Sequence, residues 1–286
     1  MGPPVPNGGL MRGSMCGTMA AISAAITMAA SGAYTRTIMI TGYWPPTNEM
    51  IRPFSQSAAQ NPGGWTGENW ENRGYNIVSY FPEFPGGVGT NPRGTGDFQV
   101  DYQAASADFW RITSEIKPLA IISFSRGSAG IRWELESRAR KLPLNAWVQD
   151  YLAPLRPTID MPIGAEPDNN IRYSSLPMTR IRDAVAAAIP PMQPFIDTSN
   201  QFGGDFVSEF TSYHSAWYAN LHADSSDPAQ AFAGGHIHVG IDTPTYAAVL
   251  ATQITLRQLT AHLDTVIPAP SSLVPLCGLF LLRRRR

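Results

Sequence analysis

The chain has 286 residues, of which 43% are hydrophobic and 15% are charged, so it can bury a core and is not intrinsically disordered. Its 25 glycines and 25 prolines indicate many turns and exclude a helical bundle or a coiled coil. The formal charge is −1, but five of the 21 basic residues are arginines in the terminal segments, which contain no acid. The remaining 16 basic and 22 acidic residues leave the body near −6, which argues against a nucleic-acid partner.

Residues 1–33 are typical of an N-terminal extension followed by a secretory signal peptide. Arg12 supplies a short positive region, residues 19–30 form an apolar stretch of small residues, and 31–33 form a small-x-small cleavage site. A buried alanine-rich helix, the alternative, would need a polar face that this stretch nearly lacks. The segment therefore predicts an exported protein found in the periplasm, at the cell surface or outside the cell.

The body, residues 34–267, alternates β-branched or apolar runs with helical patterns, and no linker divides it. Strands are predicted at 37–43, 76–80, 119–124, 195–197 and 235–241, and helices at 100–117, 128–141, 178–188, 206–217 and 246–263. Residues 47–74 read as a helix fragment with a long loop, and 82–96 read as a loop. This alternation predicts one α/β domain, a three-layer α/β/α sandwich with a mainly parallel central sheet.

Residues 268–286 combine a Pro-Ala-Pro motif, an apolar run at 273–282 and four closing arginines. The run is too short to span a bilayer unaided. The arrangement resembles the PEP-CTERM sorting signal of exported bacterial proteins, which implies export and sorting machinery as partners; a frayed tail is the alternative. Both cysteines, Cys16 and Cys277, lie in the terminal segments, so the body has none for a disulfide, a nucleophile or a zinc site.

Ser208 and His238 are the first candidates for nucleophilic catalysis. Ser208 lies near the start of a predicted helix, where free N–H groups and a partial positive charge favour a developing oxyanion. A serine hydroxyl needs a base, and His238, on a predicted strand, could take its proton. Glu136 and Glu134 are the carboxylates that could orient the imidazole. A helix-capping role is the alternative for Ser208.

Five stretches of the body occur in the order found in pyrrolidone-carboxylate peptidases, the cysteine peptidase family of pyroglutamyl peptidase I. They resemble that family's opening loop, its glycine-rich turn with the catalytic glutamate, its Ser-Leu-Pro segment, its nucleophile helix and its histidine strand. In chain order the stretches are TGYWPPTNE, SRGSAGIRWELESRA, RYSSLPMTRIRDAV, NQFGGDFVSEFTSYHSAWY and GGHIHVGI. The resemblance covers about 36–262.

The resemblance implies the three-layer fold and hydrolysis of an amide bond, N-terminal pyroglutamyl or related, in a peptide or small amide substrate. It implies that Ser208 replaces the nucleophilic cysteine, that His238 is the base and that Glu136 is the acid of the triad. It implies substrate-binding roles for three further residues, Tyr43, Val207 and Gly127. It implies no cofactor and no metal.

The chain departs from the family pattern at several of these motifs. Ser208 lacks the low-pKa thiol of a cysteine, Glu209 stands where the family has an asparagine, and His236 replaces a phenylalanine. The opening loop has Pro46 in place of its second aromatic residue, and no residue matches the family's oxyanion-supporting arginine. A turn about two residues short leaves Glu134 as an alternative acid. A catalytically inactive binding module on the same fold therefore stays open.

Ser125 is a second candidate nucleophile. The segment SFSRG follows a predicted strand and fits a small-x-Ser-x-Gly elbow. With His238 downstream, the chain order would suit an α/β-hydrolase-type esterase, and the alternative is a turn that lines the pocket.

Metal binding is the third possibility, because His236 and His238 lie on one face of a strand. His214, His222 and Asp224 could complete a set of ligands, but no HExxH or comparable spacing is present. We expect the histidine pair to be structural or solvated instead of binding a metal.

Overall fold

The computed structural model describes residues 36–160, 163–199 and 203–267, and the predicted signal and sorting segments lie outside them. Strands and helices alternate over most of the described chain. The strands are β1 Thr37–Thr41, β2 Asn76–Tyr80, β3 Ala120–Arg126, β4 Arg132–Glu136, β5 Arg138–Arg140, β6 Ile171–Tyr173, β7 Gln193–Asp197 and β8 Ala233–Val239. The helices are α1 Thr47–Ile51, α2 Tyr102–Ile116, α3 Met178–Ala188, α4 Val207–Leu221 and α5 Thr245–Val266.

Six strands form the central sheet in the order β2-β1-β3-β8-β4-β7. The first four are parallel to one another, β4 is antiparallel to β8, and β7 is parallel to β4. Strands β5 and β6 form a separate antiparallel pair. The sheet with helices on both sides confirms the predicted mainly parallel α/β sandwich.

The two faces of the sheet differ in chemistry. On one face, which we call the apolar face, Ile40, Ile122, Phe124, Trp133 and Ile237 form a buried cluster with residues of α1, α3 and α5. The opposite face lies against α4, and α2 packs on α4. We call this the polar face, because six polar residues occupy it on three adjacent strands: Ser123, Ser125, Glu134, Glu136, His236 and His238.

Local signals explain where the helix before β3 begins and ends. The Asp101 carboxylate accepts a hydrogen bond from the backbone N–H of Ala104 at 2.9 Å, which caps α2. The helix ends at Lys117, whose left-handed backbone (φ 44°) closes it immediately before Pro118. The chain then enters β3, whose first six residues are buried, as expected for a strand covered on both faces.

The helix predicted at 128–141 is wrong, because this segment forms β4 and β5. Trp133 and Leu135 point to the apolar face, whereas Glu134 and Glu136 point to the polar face. This alternation has the period of a strand. The correction matters for function, because two residues spaced by two share a face on a strand but not on a helix.

The other predicted elements lie within a few residues of the observed ones. Helix α3 has the predicted bounds, and α4 extends from Val207 to Leu221. The pair β5–β6 is an element that the sequence analysis missed. Among the described residues, no helix combines the length and the hydropathy needed to cross a bilayer.

Candidate active site

His238 and Glu136 form a buried pair on the polar face. The His238 Nδ1 atom lies 2.7 Å from Glu136 Oε1. Antiparallel register places Glu134 opposite His238 and Glu136 opposite His236, so Glu136 reaches its partner diagonally. The exposed fractions of the two residues are 7% and 3%, so the hydrogen bond is shielded from water. A carboxylate in this position orients the imidazole and favours the tautomer whose other nitrogen, Nε2, accepts a proton.

Glu134 is the second carboxyl group beside this imidazole. Burial raises its pKa, and the neighbouring charge of Glu136 acts in the same direction. One donor atom each from Glu134, Glu136 and His238 lie within 4.8 Å of one another, the one group of this kind among the described residues. The contact with Nδ1, however, is made by Glu136.

The possible metal ligands that the sequence analysis named do not come together among the described residues. His214 Nε2 bonds the Ser106 hydroxyl at 2.9 Å, and His222 Nδ1 lies 2.7 Å from an oxygen of Asp227. Both histidines therefore have partners of their own, away from His236 and His238.

Ser208 occupies the first turn of α4, which begins after the extended residue Phe206. Its hydroxyl donates a hydrogen bond to the carbonyl oxygen of Gly203 at 3.0 Å. Gly203 in turn packs on the ring of His238, since a Cβ added at Gly203 would lie 3.2 Å from Cε1 of this histidine. The helix start and the imidazole therefore flank the same glycine, and no hydrogen bond joins Ser208 to His238 among the described residues.

Glu209, the residue after Ser208, is turned into the protein and is fully buried. One carboxyl oxygen accepts a hydrogen bond from the backbone N–H of Arg140, and the other accepts one from Gly203 at 2.7 Å. Burial raises the pKa of this carboxyl group to about 8, and the nearby charge of Glu136 adds to the effect. Burial therefore favours the protonated form of Glu209, whereas the two backbone N–H groups that it accepts from favour the carboxylate.

Two of the three predicted substrate-binding residues lie in a buried hydrophobic cluster that includes residues of α2 and α4. Tyr43 and Val207 belong to this cluster and are 4% and 2% exposed. Burial raises the pKa of the Tyr43 phenol. Gly127 lies elsewhere, with its backbone N–H donating to the Val239 carbonyl at 2.8 Å. A Cβ at Gly127 would come within 2.9 Å of His238 Cβ, so only glycine fits beside this histidine.

Ser125 does not pair with His238 as the esterase hypothesis required. Its hydroxyl lies 2.8 Å from Nε2 of His236, and Nδ1 of the same ring lies 2.7 Å from the Ser123 hydroxyl. Among the described residues, His236 has no carboxylate on either nitrogen. Burial, with the charge of His238 beside it, lowers the pKa of His236 well below its ordinary value, so this imidazole is neutral.

The sequence analysis did not predict the hydrogen bonds around His236, although the sequence contains a signal for them. Alternation in SFS and in HIH places two serines and two histidines on single faces of two strands. What the pattern lacks is the information that β3 and β8 are neighbours with Ser123 opposite His236.

Comparisons with known proteins support the fold. A mutant of pyrrolidone carboxyl peptidase from the hyperthermophile Pyrococcus furiosus is similar to 79% of this chain over 99% of its own, with a TM-score of 0.53 and 15% identity. Pyrrolidone carboxyl peptidase from Thermococcus litoralis covers 82% of this chain and 99% of its own, with a TM-score of 0.54 and 14% identity. No known protein-family profile and no curated protein sequence matches the chain. The protein therefore has the fold of the pyrrolidone carboxyl peptidases.

Proposed function

We propose that the protein is an exported hydrolase that cleaves an amide bond, N-terminal pyroglutamyl or related, with Ser208 as nucleophile. The observation that carries this proposal is the buried 2.7 Å contact between His238 Nδ1 and Glu136, with Gly203 packed between this imidazole and the start of α4. Such a pair leaves Nε2 as a proton acceptor for a serine hydroxyl at a helix N-terminus.

The reaction begins when the Ser208 hydroxyl leaves the Gly203 carbonyl and donates to His238 Nε2 instead. Its oxygen attacks the amide carbonyl carbon while the proton moves to the imidazole, and Glu136 stabilises the resulting cation. The tetrahedral intermediate then breaks its C–N bond, and the imidazolium gives its proton to the leaving amine. Water, deprotonated by His238, hydrolyses the acyl–serine ester and regenerates the hydroxyl.

The start of α4 contributes to this reaction through its backbone. The first N–H groups of a helix have no partner within the helix and lie at the positive end of its dipole. They stabilise the oxyanion that forms when Ser208 attacks. Burial raises the pKa of Glu209 beside the nucleophile, which reduces the negative charge that would oppose this oxyanion.

Support for the substrate class comes from the fold and from the resemblance of the motifs. The neighbours with this fold are named as pyrrolidone carboxyl peptidases. The resemblance implies substrate-binding roles for Tyr43, Val207 and Gly127. Support for export comes from residues 1–33 and 268–286, whose patterns predict a signal peptide and a sorting signal.

A fluorophosphonate probe tests the nucleophile directly, because it forms a bond between phosphorus and an activated serine oxygen and releases fluoride. We expect labelling of the wild-type body at Ser208, no labelling in Ser208→Ala, and labelling about 10⁴-fold slower in His238→Gln, which lacks the base. Ser128→Ala is the control, since this exposed serine only accepts from Arg132. Labelling at Ser125 would favour the esterase, and an unlabelled, inert protein would favour the binding module.

A further inference from the structure

A chain of hydrogen bonds runs from helix α4 to the carboxyl end of β3 and has no role in the reaction described above. The hydroxyl of Ser215 lies 3.0 Å from that of Ser123, which lies 2.7 Å from His236 Nδ1. The His236 Nε2 atom lies 2.8 Å from the Ser125 hydroxyl. All four residues are buried, and Ser125, at 5% exposure, is the one nearest to solvent.

The shortest contact of the Ser123 hydroxyl is the one to the imidazole. The Ser215 hydroxyl lies 3.0 Å from the Ser123 oxygen and also 3.0 Å from the Thr211 carbonyl oxygen, so its one proton can go to either of them. For the Ser123 proton, the carbonyl oxygens of Thr211 and Gly235 lie 3.5 Å away, whereas His236 Nδ1 lies at 2.7 Å. This shortest contact, from Ser123 to Nδ1, is the one that we assign to the Ser123 proton.

The same reasoning extends to the other side of the imidazole. Burial keeps His236 neutral, and a neutral ring has a single N–H. With Nδ1 accepting, that N–H is at Nε2 and donates to the Ser125 oxygen. The proton of Ser125 then has no acceptor among the described residues, so Ser125 presents a free donor.

Strand register and helix packing place this donor beside the proposed reaction. Ser125 lies opposite His238 in the β3–β8 ladder, so the two side chains are neighbours on the polar face. Thr211 lies above Ser123, and its hydroxyl bonds the carbonyl oxygen of Ser208 one turn earlier. Ser125 is two residues closer than Ser123 to the carboxyl end of β3. It therefore lies below the first turn of α4.

We infer that Ser125 donates a hydrogen bond to the carbonyl oxygen of the substrate and that His236 is the positioning residue that aims it. The inference rests on the proposed function, in which this oxygen gains negative charge as Ser208 attacks. A donor held in place before the reaction stabilises such a charge without reorganisation. Because Ser125 accepts from His236, the imidazole cannot take its proton, and Ser125 is not the nucleophile.

The tautomer of His236 provides the first test, and it does not depend on activity. We expect ¹⁵N–¹³C NMR of the histidine-labelled protein to show a protonated Nε2 and an unprotonated Nδ1 for this ring. The signals would be assigned by their absence from His236→Phe. A protonated Nδ1, or a doubly protonated ring, would overturn the inference, because Ser125 would then have no free proton or would face a cation.

The rate of fluorophosphonate labelling at Ser208 provides the second test, since the phosphoryl oxygen takes the place of the substrate oxygen. We expect Ser125→Ala to slow labelling about 100-fold, as loss of one such donor does elsewhere, with the adduct still on Ser208 by mass spectrometry. Ser128→Ala is the matched control and should label at the wild-type rate. Equal thermal unfolding of the variants would show that the fold is kept.

The outcomes separate this inference from the proposed function. Labelling of Ser125→Ala at the wild-type rate would overturn the donor role and leave the Ser208 mechanism standing. An adduct on Ser125 would overturn both the donor role and the choice of nucleophile. A wild-type protein that is not labelled at all would remove the proposed function, and the donor role would fall with it.

Discussion

The two faces of the central sheet both bury side chains but use them differently. On the apolar face, Phe124 and Trp133 pack with ring centroids 5.6 Å apart and ring planes tilted by 48°, within a hydrocarbon core. On the polar face, the same two strands present Ser125 and Glu136, each hydrogen-bonded to a histidine of β8. The difference shows that neighbouring strands can present a hydrocarbon core on one face and candidate chemistry on the other.

Truncation of Trp133 is the largest change that this comparison suggests. Trp133→Ala removes a fully buried ring and should lower the free energy of unfolding by about 3–5 kcal/mol in urea titrations. Trp133→Phe is the matched control and should lose much less, because it fills most of the space and removes an indole N–H that has no partner among the described residues. A loss below about 1 kcal/mol in Trp133→Ala would contradict the assignment of this face to the core.

The pH dependence of stability should reveal the buried carboxyl group of Glu209. Its folded-state pKa of about 8 exceeds the model-compound value of 4.5, so the native state holds a proton that the unfolded chain releases. Stability should therefore fall as pH rises, and between pH 5 and pH 8 the wild type should lose about 3 kcal/mol relative to Glu209→Gln.

Urea unfolding of both proteins at several pH values measures this difference. The exposed Glu68 supplies the control, and Glu68→Gln should change the free energy of unfolding by no more than about 0.5 kcal/mol. A constant difference between the wild type and Glu209→Gln would mean that Glu209 is ionised in the folded protein. The charge beside Ser208 would then have to be included in the mechanism.

The smallest expected effect concerns a polar contact that lies between α2 and α4. The Nδ1–H of His214 donates to the Phe210 carbonyl, so Nε2 accepts from the Ser106 hydroxyl at 2.9 Å. Burial lowers the pKa of His214 to about 4, which keeps the ring neutral. Ser106→Ala leaves a buried acceptor unpaired and should reduce the free energy of unfolding by about 1–2 kcal/mol.

Ser114→Ala, on the exposed side of the same helix, is the control for this change and should lie within about 0.5 kcal/mol of the wild type. Labelling at Ser208 should be unaffected in both variants. A lower rate of labelling at Ser208 in Ser106→Ala would show that the polar contacts of α4 are coupled to the candidate site. The polar face would then include the contact between α2 and α4.

Much of the fold was predictable because it depends on local patterns. The apolar run that became β3, the periodic apolar residues of α4 and the stop at Pro118 all act over a few residues. The segment 128–141 was misread because its strand alternation, in RWELE, spans only five residues and lies in a sequence that also suits a helix. Neighbouring strands, not local preference, decided its conformation.

The candidate site was predictable only in part, for a related reason. Sequence resemblance selected Ser208, His238 and Glu136, but it left Glu134 as an alternative acid and treated Glu209 as a charge beside the nucleophile. The register of β4 against β8 places both glutamates beside His238, and the contact is made by Glu136. Burial of Glu209, which raises its pKa, depends on the loop around Gly203 and on Arg140.

By itself, the sequence determined the alternation of strands and helices and the position of a serine at a helix start, because these depend on residues close together in the chain. The tertiary structure decided which side chains meet, since His236 and Ser125 are 111 positions apart and touch only through the β3–β8 register. Pairing between distant strands is set by the whole core, and no short segment contains that information.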